Sequence, residues 1–255
     1  MNKQRDIVGV ILQQVSDPLI ALHMLGGYYE CPKDDSGRRL GPLVGYAGKD
    51  GQGRQFVGEV YANFGEMEQW PLLLRYFGRA LMAYTRKSAI LNPLDCLCGA
   101  PLGGMAFGTV MTEILGCRYV FPEKVVTAVA TTAGREESEL KFARHKIVPG
   151  ESIGIVDDVV NNFSTTEKLI RLIMDAGASV GALICLLNRS LTIDSVYHSQ
   201  VADCDIPVIS VVRKPIYQWQ QDDPEVAVDV SNGNVVWKPK TEWDRLMEVM
   251  EQAKT

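Results

Sequence analysis

Two adjacent acids, Asp157 and Asp158, follow the β-branched run Ser152-Ile153-Gly154-Ile155-Val156, and small polar residues come next, before a helix begins. Carboxylates carried to the end of a buried strand can accept hydrogen bonds from sugar hydroxyls. The start of the following helix offers unpaired N–H groups and the positive end of the macrodipole, which suit a phosphate. The candidate phosphate-side residues are Asn161, Asn162, Phe163, Ser164, Thr165 and Thr166. Three other readings compete. One is a plain βα unit with a capped helix and two solvated acids. A dinucleotide site is weak, because no Gly-x-Gly-x-x-Gly follows a strand, and a P-loop is absent, because no Gly-Lys-Ser/Thr ends a glycine-rich loop.

A second loop can share this chemistry. Cys98-Gly99-Ala100-Pro101-Leu102-Gly103-Gly104 leaves an apolar strand and opens a helix. Alone it reads as a tight connection. With an acidic strand–helix edge downstream, both loops converge at the carboxyl edge of an open parallel sheet.

Such a sheet must be supplied by the middle of the chain. Near-continuous apolar runs at 94–99, 118–122, 152–157, 179–187 and 207–212 predict strands covered on both faces. Helices are predicted at 104–116 and 164–176 between them. Before them, residues 3–24 read as a helix with Ile7, Val8, Ile11, Leu12 and Val15 on one face, restarting at Asp17-Pro18 with Ser16 as the cap. Short β runs at 28–29, 43–47 and 55–64 predict an antiparallel layer. Residues 67–87 predict a helix turning Leu72, Leu73, Tyr76, Phe77 and Leu81 inward. Residues 124–146 predict a long hairpin or loop over the site. Near the end, Val226–Val230 and Val235–Trp237 flank Ser231-Asn232-Gly233-Asn234 and predict a hairpin, and residues 243–253 predict a closing helix.

The 255 residues carry a formal charge of −5 and 46% hydrophobic content. That supports a sizeable core and argues against general nucleic-acid affinity. No run reads as a signal peptide or a membrane span, so the expected location is the cytoplasm and no membrane partner is expected. The six cysteines are scattered and fit a reducing compartment.

The Asp157–Thr166 segment resembles the phosphoribosyl pyrophosphate motif of the type I phosphoribosyltransferases. That motif has a hydrophobic strand, an acidic pair, two apolar residues and then Thr-Gly-Gly-Thr or a variant. Asp157 and Asp158 match the acids, and Thr165 matches the last Thr. Asn162, Phe163 and Ser164 replace Thr-Gly-Gly. Glycine there permits close approach and positive φ, so Phe163 is expected to crowd the anion. Gly99–Gly104 resembles the family's pyrophosphate loop, with Ala100, Pro101, Leu102 and Gly103 as its binding residues. Tyr61–Phe64, Gln69–Leu74, Leu115–Val120 and Pro149–Glu151 extend the likeness to the orotate enzymes, over roughly residues 55–190. Lys124 stands for the basic residue at the third strand's end. The next loop Lys has no counterpart among Val125–Ala128, which leaves Arg135, Lys141, Arg144 and His145 to reach pyrophosphate, including that of a neighbouring subunit. Lys33, ahead of Ser36-Gly37 with Asp34-Asp35 between, resembles the base-pocket Lys, with Tyr29 beside it.

The resemblance implies an α/β fold: an open parallel sheet flanked by helices. One domain is expected over 1–255, with a core of about 65–212 and a small hood from about 1–64 and 213–255. It implies transfer of 5-phosphoribosyl from phosphoribosyl pyrophosphate to a nucleobase, orotate foremost, as in pyrimidine nucleotide synthesis, with release of pyrophosphate. Asp157, Asp158 and Lys124 are the implied catalytic residues. Mg²⁺ is implied, held mainly through the substrate, with Asp157 and Asp158 as candidate protein ligands. A homodimer is implied. The rival readings are a transferase for another base, and a non-catalytic regulatory protein of this fold that binds phosphoribosyl ligands.

Overall fold

A computed structural model describes residues 3–88, 93–128 and 137–253. Two compact units divide the chain: Met1–Gln69 with Ile216–Thr255, and Trp70–Pro215.

The first unit begins with α1 (Lys3–Gln14) and α2 (Pro18–Met24). They break where expected, but the cap is Asp17 and not Ser16: Asp17 Oδ1 accepts from Leu19 N at 2.8 Å, and Pro18 needs no donor there. Next come β1 (Tyr28–Glu30), β2 (Leu43–Lys49), β3 (Gln55–Gly58), β4 (Val60–Ala62) and the short α3 (Phe64–Met67). β1 pairs antiparallel with β4, and β2 with β3. Asp50 organises the β2–β3 turn by accepting from the amides of Gln52 and Arg54.

The second unit carries α4 (Pro71–Ser88), β5 (Cys96–Gly99), α5 (Gly104–Leu115), β6 (Arg118–Val120), β7 (Glu123–Ala128), β8 (Glu137–Lys141), β9 (Ser152–Val160), α6 (Ser164–Asp175), β10 (Ser179–Asn188), β11 (Val196–Ser199) and β12 (Cys204–Arg213). Its sheet runs β11-β12-β10-β9-β5-β6, parallel throughout except for the antiparallel edge strand β11. The expected open parallel α/β sheet is therefore present. Ile153, Ile155, Cys96, Cys98 and Cys185 pack with Leu169, Ile170 and Ile173 of α6 in one buried core. On α4, Leu73, Leu74, Phe77 and Leu81 are buried. Leu72, expected inward, is exposed, because a helix turns 100° per residue and the buried stripe runs through Leu74 instead.

β9 corrects one expectation with consequences for the site. The strand does not stop at Asp157. Its pairing with β10 continues through Leu187↔Val159 and Asn188↔Val160, so both acids lie within a paired ladder.

Returning to the first unit, α7 (Ala227–Ser231), β13 (Val235–Val236) and α8 (Trp243–Gln252) end the chain. The hairpin expected at 226–237 is absent. Val226 and Val230, four apart, face the cluster of Leu43, Val57 and Val235, while Val228 stays exposed; that is helical burial. β13 instead pairs parallel with β2. Of the stretch expected to be a hairpin or loop, the described residues include β7 and β8, which pair antiparallel.

Candidate functional site

The acidic strand and the glycine loop meet at the sheet's carboxyl edge. Gly99 lies opposite Val156 in parallel register, and Ala100 N–H donates to Val156 O at 2.8 Å. The loop then lies flat on β9. A Cβ on Gly104 would fall 1.9 Å from Val156 O, and one on Gly103 would fall 2.3 Å from the Asp158 carboxyl carbon. Only glycine lets backbone approach backbone this closely. Leu102, just before these two glycines, is exposed, and the Pro101–Leu102 peptide is cis.

Successive residues of a strand face opposite ways. Asp158 therefore faces the glycine loop, whereas Asp157 shares a face with Ile153 and Ile155 and sits across from the buried Cys185. Burial, and then the neighbouring Asp158 charge, push the Asp157 carboxyl well above the usual carboxylate range. Each carboxylate also accepts from the next amide: Asp158 N to Asp157 Oδ1 at 2.9 Å, and Val159 N to Asp158 Oδ1 at 2.7 Å. The expectation of two acids at a strand end is corrected: both lie within the paired ladder, and each is partly exposed.

The turn after β9 is built differently. Phe163 adopts a left-handed backbone, φ 56°, ahead of α6. For a non-glycine residue this costs about 1–2 kcal/mol. Contrary to the crowding of the anion expected from the sequence, its ring packs inward. The ring is 3% exposed and stacks on Tyr197 with centroids 4.5 Å apart and planes 9° apart. Asn162 Oδ1 accepts from Ser164 N at 3.2 Å. Ser164 and Thr165 are exposed in the first turn of α6, where orphan amides gather. Thr166 is buried and turned away. Asn161 is half-buried.

Lys124 is exposed on β7, just past the carboxyl end of β6. Lys141, Arg144 and His145 are engaged locally. Lys141 pairs with Glu139 at 2.5 Å. Arg144 pairs with Glu123 and lies over the Phe121 ring. His145 sits edge-on to Phe121, with its Nδ1 3.3 Å from Phe121 N and 3.2 Å from Phe121 O. Arg135 lies outside the described residues.

In the first unit, Tyr29 is corrected as a base-pocket residue. It is fully buried, and its hydroxyl donates to Pro42 O at 2.7 Å, so its ring is core. Lys33 is partly exposed and pairs with Glu59 at 2.9 Å. The Ser36-Gly37 turn is held by Asp34 Oδ1, which accepts from Ser36 Oγ at 2.6 Å and Arg38 N at 3.0 Å.

Sequence reasoning missed two groups. Asn188, buried at the carboxyl end of β10, donates to Ile193 O and Asp194 O, and Arg213 bonds Asn188 O and Asp194 across the register. A polar residue closing the apolar run Leu186-Leu187 was its signal. Tyr197 and Glu167 were the second group. Burial works against charge on Glu167, but bonds from Tyr197, Gln200 and Ser199 outweigh it and hold its carboxyl below the ordinary value. No local pattern links those residues.

Among the described residues, no three His, Cys, Asp or Glu side chains gather as a metal cage. The site's acidic oxygens come from Asp157 and Asp158. One or two carboxylates completed by substrate phosphates is how Mg²⁺ is commonly held, so the donor set fits that ion.

No family model matches the chain. It is 25% identical over 164 residues to the orotate phosphoribosyltransferase of Heliobacterium modesticaldum, covering 64% of this chain and 75% of that one. It is 26% identical over 105 residues to the orotate phosphoribosyltransferase of Helicobacter acinonychis, covering 41% of this chain and 47% of that one. The match thus spans about half the length of the Helicobacter relative. Among solved structures, the orotate phosphoribosyltransferase of Aeropyrum pernix aligns at a TM-score of 0.46 and 16% identity, over 68% of this chain and 89% of that one.

Proposed function

We propose that this chain, a member of the type I phosphoribosyltransferase family, transfers the 5-phosphoribosyl group from phosphoribosyl pyrophosphate to a nucleobase, orotate first among candidates. The observation that carries the reading is the glycine loop lying against Val156 and Asp158. It puts an amide-rich loop beside the Asp158 carboxylate at the carboxyl edge of a parallel sheet, where open α/β sheets hold ligands.

In this reading a base nitrogen attacks ribose C1 and pyrophosphate departs from the opposite face, with inversion. The sugar passes through an oxocarbenium-like transition state, so stabilising the leaving group matters more than activating the nucleophile. Asp158 accepts from a ribose hydroxyl. Asp157, whose proton affinity is raised, can donate to the sugar as well as accept from it. Backbone amides of Ala100–Gly104 hold the pyrophosphate, and Lys124 supplies positive charge. Ser164, Thr165 and the α6 amides take the 5-phosphate. Mg²⁺, when bound with the substrate, neutralises charge on the leaving pyrophosphate. The hairpin limits access of water. Action as a homodimer belongs to the same proposal.

One observation favours a second reading, a regulatory protein that binds the ligand without turnover: Lys141, Arg144 and His145 are all engaged within the hairpin. Pyrophosphate release from phosphoribosyl pyrophosphate, assayed with orotate and then with other bases, separates the two. Release with one base supports transfer. Tight binding with no release under any base supports the regulator.

A further inference from the structure

Resting on that phosphoribosyl reading, we propose that Tyr197 and Glu167 are positioning residues that hold the Asn161–Thr165 turn in its phosphate-receiving shape through the ring of Phe163. The turn has no glycine to enter the left-handed region freely, yet Phe163 is there. Something outside the turn must select that conformation, and three contacts close a circuit that does so. The Phe163 ring lies nearly parallel to Tyr197, which comes from the edge strand β11. The Tyr197 hydroxyl donates to Glu167 Oε1 at 2.6 Å. Glu167 N–H donates to Phe163 O at 2.9 Å, which closes the circuit on α6.

The carboxylate of Glu167 is held from the far side as well. Gln200 N donates to Oε1 at 2.9 Å and Ser199 Oγ to Oε2 at 3.1 Å. The clamp therefore ties the turn to β11 and to the segment just after it. Its output is direction: the backbone angle at Phe163 sets where the following amides of Ser164 and Thr165 point. A return to negative φ would re-aim them. The glycine loop at Ala100–Gly104 takes its shape from contact with Val156 and Asp158, and its backbone hydrogen bonds involve none of the clamp residues. The clamp should thus govern affinity for the ribose 5-phosphate end and leave the pyrophosphate end alone.

Calorimetric titration of the whole chain with ribose 5-phosphate, and separately with inorganic pyrophosphate and Mg²⁺, tests this. Tyr197→Leu should weaken ribose 5-phosphate by about tenfold or more, with pyrophosphate changed by less than about twofold. Tyr197→Phe keeps the stack and loses only the hydroxyl, so it should weaken ribose 5-phosphate by about threefold. Equal losses for both ligands, or no loss for either, would overturn the clamp. If Tyr197→Leu does not fold, Tyr197→Phe and Glu167→Gln carry the same selective comparison. A wild-type chain that binds neither ligand refutes the phosphoribosyl reading itself. A wild type that binds both, with variants unchanged, refutes the clamp alone.

Discussion

In the Gly99–Gly104 loop the chain gains close approach by lacking side chains at Gly103 and Gly104, and in the Asn161–Thr165 turn it holds an unusual backbone by burying a large one. Gly104 rests on Val156 backbone. Phe163 sits in the left-handed region because its ring is buried under Tyr197. The first loop depends on contacts within its own sheet edge. The second depends on β11, at the far side of the sheet. The contrast shows that a phosphate-type turn can be shaped by a tertiary contact where glycine would otherwise serve.

The comparison breaks most severely at Gly104. Gly104→Ala places a Cβ against Val156 backbone, which cannot yield without moving α5 off β9. Overpacking costs typically 1–3 kcal/mol and more against backbone, so a loss of about 3 kcal/mol or failure to fold is expected in a thermal melt. Gly103→Ala meets first the movable Asp158 carboxylate and should fold, at the expense of ligand binding. Equal stability of the two variants would show that the loop does not rest on β9 as described.

At Phe163 the expected effect is smaller, because two terms oppose. Phe163→Gly loses a buried aromatic side chain, typically about 3–5 kcal/mol, and relieves about 1–2 kcal/mol of left-handed strain. A net loss of about 2 kcal/mol is expected in a denaturant titration. A stabilised variant would mean that the ring contributes nothing to the turn.

Smaller again is the effect of pH through Asp157. Its native carboxyl holds a proton more tightly than the unfolded one, whose pKa is about 4. Asp157 therefore contributes stability that is full below about pH 4 and is lost as pH rises through the native value. Asp157→Asn should flatten that fall, removing up to about 1.4 kcal/mol per pH unit across the window. An unchanged profile would show that Asp157 is not desolvated.

These positions also mark what the sequence could and could not convey. The parallel sheet was legible because strands covered on both faces must be apolar throughout, as in Ile153–Val156 and Leu183–Leu187. The acid pair was legible because charges interrupt such a run. The length of β9 was not, since the ladder partner that carries it past the acids lies in β10. The terminal hairpin was misread because Val226, Val228 and Val230 alternate like a strand, and only their packing distinguishes the helix. The direction of the Phe163 ring was hidden for the same reason: Tyr197 approaches from a distant element, and motif likeness places only the backbone.

The most direct test of the site compares binding of phosphoribosyl pyrophosphate to the wild-type chain and to Asp158→Asn, with thermal midpoints measured alongside. Asp158 faces the glycine loop, where Gly103 brings no side chain against its carboxyl. Hydrogen bonds to a charged group are worth about 1.5–3 kcal/mol. Affinity should fall about tenfold or more with the thermal midpoint nearly unchanged. A lowered midpoint with affinity intact would contradict that expectation and reduce the acid pair to a structural feature of the strand.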